Sequence, residues 1–167
     1  AFWVKPEVLE IYSPIIFFGS DLLSEKTSAT WMNITKTDFS STAPVIWSRN
    51  EAKNEWPFYS PTKQVFKLNE WNHIVVNVIG FNPEGKNTLE SELYINGVLV
   101  GTGSVVTNIF NAESKIYLGI NCWDQNFQGA IDDLRIYGTY LSSKEVQYAM
   151  NTPVSEEVPT PTPEPTP

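Results

Sequence analysis

Short runs in which apolar and aromatic residues alternate with polar ones recur along most of the chain. They are FWVKP (2–6), SATWMNITK (28–36), APVIWS (43–48), KQVFKL (63–68), NHIVVNVIG (72–80), ELYINGVLVG (92–101), KIYLGI (115–120) and GAIDDLRIYG (129–138). Each is rich in β-branched and aromatic side chains, which suit a pleated, half-buried surface, so each predicts a strand. Turn-formers separate them, in FGSD, NPEGKN, TGS and NAES. Asn96-Gly97 stands between two apolar runs, and both residues tolerate positive φ, so the pair predicts a two-residue type I′ hairpin. One helix is expected near the end, where Ser142 is placed to cap it and Glu145 to complete a capping box. So many short strands predict an all-β, antiparallel two-sheet sandwich or barrel.

Composition narrows the function. At 167 residues the chain has room for one domain with a sizeable core. A net charge of −8, with scattered Lys and Arg, argues against nucleic acid, which needs clustered cations. The longest apolar runs, such as PIIFFG, are too short to span a bilayer. Cys122 is the only cysteine, so no internal disulfide forms. The opening AFWVKP reads as mid-strand, so the N-terminus is expected to be cut and a missing export signal carries no weight. From Thr152 the text is TPVSEEVPTPTPEPTP, with proline at every second position from Pro159 to Pro167. Proline lacks an N–H and fixes φ, so 152–167 is expected to be an extended linker of a modular protein and 1–151 the domain.

The runs AFWVKP, LNEWNHIVV, LYINGVLVG, IYLGI and FQGAIDDLRIYGTYLSSKEV follow in an order that resembles laminin G-like domains of the concanavalin A-like lectin/glucanase superfamily. The resemblance covers Ala1 to about Met150 and implies a two-sheet jelly roll that binds sugar or protein outside the cell. In that family a further N-terminal segment closes the sheets before the strand matching FWVKP, so the first strands are expected to be missing here.

Strand alternation puts Asp132 and Asp133 on opposite faces, so they do not act together on one substrate. Asp133 lies two residues from Arg135, a spacing that permits a charge pair. Asp132 shares a face with Leu134 and Ile136, and a carboxylate aimed into a sandwich needs hydrogen bonds or a cation. Backbone N–H groups and calcium are both open as its partner; the resemblance implies a structural calcium held partly by Asp132 and partly by the missing segment. Glycoside hydrolases of this architecture need paired carboxylates, for which Glu90 and Glu92 are the nearest match. No third acid follows on that strand, and the plain reading is two solvated glutamates. His73 is the only histidine, and it reads as structural, since it has no second His to share a metal. Cys122 follows Ile116, Leu118 and Ile120 in alternation and reads as a small buried hydrophobe if the strand reaches it.

Sugars are bound by aromatic faces flanked by amides and carboxylates. Two loops carry that mixture. One holds Asn121, Trp123, Asp124, Gln125 and Asn126; the other, RNEAKNEWPFYS, holds Arg49, Asn54, Glu55, Trp56 and Tyr59. Trp31 lies opposite its neighbours Met32 and Ile34 and joins the candidates, whereas Trp3 and Trp71 read as packing. The expected function is a non-catalytic carbohydrate-binding module of a secreted, multi-domain bacterial protein, monomeric and tethered by its linker. Protein adhesion and a purely structural spacer are the alternatives.

Overall fold

In a computed structural model of the chain, the described residues are 1–8, 12–19, 29–33, 43–49, 58–59, 66–79, 88–106, 112 and 114–154. They form β1 (Phe2–Pro6), β2 (Pro14–Gly19), β3 (Ala29–Asn33), β4 (Val45–Arg49), β5 (Phe58–Tyr59), β6 (Asn72–Ile79), β7 (Thr88–Ile95), β8 (Val98–Val106), β9 (Lys115–Leu118), β10 (Gly129–Asp132) and α1 (Ser143–Asn151). The first sheet runs β10-β1-β6-β7-β8 and the second β5-β4-β3-β2-β9. All pairings are antiparallel. The chain is therefore the all-β two-sheet sandwich that its alternation predicts.

Alternation decides what lies between the sheets. Phe2, Val4, Ile74, Leu93 and Val105 of the first sheet pack against Ile16, Met32 and Ile46 of the second. The β7–β8 hairpin turns through Asn96 at φ 50° and Gly97 at φ 77°, the left-handed pair its sequence predicts.

The outer face of the first sheet is covered by α1, with Val75 and Tyr94 packed against Leu141, Val146 and Ala149. Ser142 caps the helix as expected, and the reciprocal bond from its backbone N–H to Glu145 Oε2 is 2.7 Å. Asn77 locks the entry to the helix: its Nδ2 donates to the Leu141 carbonyl at 2.8 Å, and the Leu141 N–H donates to its Oδ1 at 3.0 Å.

Four strand expectations change. PIIFFG is a strand, β2, paired on both sides. Being apolar at every position, it shows no alternation by which to recognise it. TGS lies inside β8, where ladder bonds to β7 override its turn preference. KQVFKL is not a strand from Phe66 onward. Asn72 holds that turn instead, accepting from the Lys67 N–H at 3.1 Å and donating to the Lys67 and Glu70 carbonyls at 3.1 and 2.9 Å. GAIDDLRIYG is a strand only to Asp132, because Asp133 turns left-handed at φ 51°. The expected linker beyond Val154, with NPEGKN and most of the Trp56 loop, lies outside the described residues.

Candidate functional site

The outer face of the second sheet carries a row of aromatic positions. Tyr117 is opposite Phe17, Phe17 opposite Trp31, Trp31 opposite Trp47, and Trp47 opposite Phe58, so one aromatic residue stands at the same level on each strand. The local cause is the period of two: on β2, β3 and β4 the outward aromatic sits next to an inward Ile or Met. Phe17 lies 5.9 Å from both Trp31 and Tyr117, centroid to centroid, and Trp31 and Trp47 stack with 14° between their planes.

Trp123 lies on this row, 5.1 Å from Trp31 and 6.2 Å from Phe17, with the Arg49 guanidinium 5.8 Å from its ring centre. Its loop is shaped by Asn121, which is 6% exposed. The Asn121 Oδ1 accepts the N–H groups of Trp123 at 3.0 Å and Asp124 at 2.8 Å, and its Nδ2 donates to Asp124 Oδ2 at 2.6 Å. Those bonds use up the Asn121 carboxamide and aim the Asp124 carboxyl back at the sheet. Burial raises the Asp124 pKa, and the amides of Asn121 and Asn33 partly offset it. Asn33 shares the outward parity of Trp31 on β3. Its amide is near enough to help hold the Asp124 pKa down, yet neither polar atom of its buried carboxamide makes a hydrogen bond of ordinary geometry.

The structure thus brings Trp31, Trp123, Asp124 and Asn121 together. Gln125 and Asn126 follow on the same loop and are exposed. Tyr59 occupies the position opposite Ile46, and Trp56, Asn54 and Glu55 lie outside the described residues. Arg49 belongs to the Trp123 group rather than to a separate loop site. Sequence reading missed Phe17, Trp47, Tyr117 and Asn33. The aromatic residue type was the only signal for the first three, and all four needed the strand register to be joined to Trp31.

Asp132 is corrected. It is exposed, and its Oδ1 accepts the Asp133 N–H at 2.7 Å. Ile131 is the side chain of β10 that packs on the core, while Leu134 and Ile136 are 39% and 70% exposed. The burial cost that called for a cation therefore does not arise. Asp133 is turned to Arg135, whose Nε donates to it at 2.8 Å and whose second nitrogen also bonds it. That hydrogen bond, ahead of burial, sets the sign and holds the Asp133 pKa low. Among the described residues no group of three His, Cys, Asp or Glu is placed to hold a metal.

Glu92 is not a free carboxylate: its Oε2 accepts from Asn77 Nδ2 at 3.1 Å and from the Tyr94 hydroxyl at 3.2 Å, within the face that docks α1. Glu90 is exposed. His73 is buried, with the Trp3 ring 5.0 Å away. Burial, helped by the nearby Ala1 ammonium and Arg135, lowers its pKa to about 4. Cys122 is half-buried and in no disulfide, beyond the end of β9. Trp71 is 42% exposed, not packing, with the Lys5 ammonium 5.7 Å from its ring centre. A pocket of about 400 Å³ opens at the edge between the sheets, lined by Phe2, Ile16, Phe18, Val76 and Ile136 among others. None of the candidate sugar-binding residues lines it, and its mostly apolar wall offers little to hydroxyls.

The family model described as the concanavalin A-like lectin/glucanases superfamily, that of laminin G-like domains, matches residues 1–147. The chain belongs to this family. No curated protein and no solved structure matches it. No helix among the described residues is long and apolar enough to cross a membrane.

Proposed function

We propose that the protein is a carbohydrate-binding module without catalytic activity, and that its site is the outer face of the second sheet. The observation that carries this reading is the aromatic row with Trp123 on it and Asp124 and Asn33 at its edge, Trp123 and Asp124 being held in a loop that Asn121 shapes. Aromatic rings stack on the C–H faces of sugars, and the Asn33 amide and Asp124 carboxyl take the hydroxyls. Glu92 is bonded to Asn77 and Tyr94, the side chains that dock the helix, which argues against the carboxylate pair a hydrolase needs. We read the parent as a secreted multi-domain protein in which the Pro-Thr tail tethers this module. Tethering raises the local concentration of a neighbouring domain at a polysaccharide.

The test is retention of the purified protein on cellulose, chitin, xylan, mixed-linkage glucan and galactomannan. Trp123→Ala is expected to weaken retention by about 2 kcal/mol or more, as for a central anchor, with the far-UV spectrum unchanged. A variant that binds as wild type places the site elsewhere. A wild type that retains none of the panel gives way to protein adhesion.

A further inference from the structure

Asn33 is 0% exposed, and neither its Nδ2 nor its Oδ1 has a hydrogen-bond partner. The other buried asparagines among the described residues all have partners. Asn72 and Asn77 bind backbone on both sides of the amide, and Asn121 shapes its own loop. A buried amide with no partner destabilises the free protein. Its place is not arbitrary: it stands two residues from Trp31 on the same face of β3, against Asp124. Asp124 commits Oδ2 to Asn121, and its carboxyl lies near enough to the Asn33 amide to be influenced by it.

We propose that Asn33 is a ligand-reading residue of this face, which together with Asp124 takes two neighbouring hydroxyls of a sugar ring. One carboxamide presents a donor and an acceptor side by side. Its Nδ2 donates to one hydroxyl oxygen and its Oδ1 accepts the proton of the next, while the Asp124 carboxyl accepts from either. A ring held this way lies along Trp31, and the 121–126 loop shifts to admit it. The inference rests on the carbohydrate reading and adds to it the ligand class, a vicinal diol, and the residue that discriminates it.

Asn33→Leu removes both polar atoms at similar volume. The expected result is a melting temperature about 3 °C or more above wild type, with retention on whichever glycan the wild type binds reduced at least tenfold. A lowered melting temperature would overturn the proposal, since the amide then has a structural partner. So would unchanged retention in a stabilised variant, which leaves the carbohydrate reading standing. Should the leucine fail to fold, Asn33→Ala carries the binding arm without added bulk: wild-type retention overturns the role and lost retention supports it. A wild type that binds no glycan of the panel overturns both readings together. Competition by soluble sugars separates the ligand class: cis- and trans-diol monosaccharides should displace the protein, and their deoxy analogues lacking one of the two hydroxyls should not.

Discussion

On the outer face of the first sheet, Asn77 commits its carboxamide to the Leu141 backbone and to Glu92, whereas on the outer face of the second Asn33 is as deeply buried and binds nothing. The two faces differ in the same way as a whole. One is closed by a capped helix of this chain, which packs Val146 and Ala149 against Val75 and Tyr94. The other is covered in part by a single loop that rests Trp123 on Trp31 and Phe17. The contrast is not total, since the His73 Nδ1 on the first face is also buried without a partner, but among the described residues a buried amide with neither atom paired occurs only on the second. Groups left over beside stacked aromatics mark the face that something else completes.

The largest effect expected from this contrast is at Asn77. Asn77→Leu strands the N–H and C=O of Leu141 in a buried site, at about 1–3 kcal/mol each. A loss of about 4 kcal/mol is expected in urea unfolding, with the slope unchanged. A loss under about 1 kcal/mol would mean that the helix docks without this clamp and that the two asparagines are not opposites.

His73 gives the first face a pH dependence opposite in sign to that of Asp124 on the second, whose raised pKa makes stability fall as the pH rises through it. Its folded pKa, about 4, lies below the usual histidine value of 6.5. Stability is therefore fully present above about pH 6.5 and falls as the pH drops toward 4, because the unfolded chain takes up the proton first. Over that window the loss approaches about 3 kcal/mol. Urea midpoints from pH 7 to 4.5 test it against His73→Phe, whose profile should be flatter. Below that range Asp133 adds to the loss, since its low folded pKa contributes stability only while it is ionised. If His73→Phe keeps the full slope, another group carries it.

The helix cap comes next. Ser142→Ala removes an N-cap hydroxyl and should cost about 1 kcal/mol, while glycan retention at 25 °C stays at the wild-type level. Loss of retention would couple the two faces and blur the contrast between them.

Much of this was legible in the chain, for reasons that differ by element. Alternation in FWVKP and NHIVVNVI marks which side chains enter the core, because a half-buried strand must be apolar at every second position. The Asn96-Gly97 turn and the Ser142–Glu145 box are local chemistry, so they read directly. PIIFFG did not, because a strand buried on both faces loses its alternation. Of the site, Trp123, Asp124, Asn121 and Trp31 were candidates by residue type alone. Their meeting point depends on strand register, which brings Phe17, Trp31 and Trp47 into line and sets Asn33 beside Asp124. Asp132 was misplaced for a related reason. Parity was carried past Asp133, where a left-handed residue ends the alternation.

That correction makes the smallest expected effect. Asp132 is exposed, and its visible bond is from the next N–H in the chain. An asparagine there keeps an acceptor oxygen for the same N–H, so Asp132→Asn should change stability by less than about 0.5 kcal/mol in calcium-free buffer. Calcium then discriminates. An ion that binds only the folded state raises the melting temperature by mass action, and it does so at Asp132 only if its charge is a ligand. Melts of wild type and Asp132→Asn with EDTA and with millimolar calcium separate the cases. A calcium-dependent rise present in wild type and absent in the variant makes Asp132 a ligand. Equal responses, including none in either, leave it a surface carboxylate that helps Asp133 make its turn.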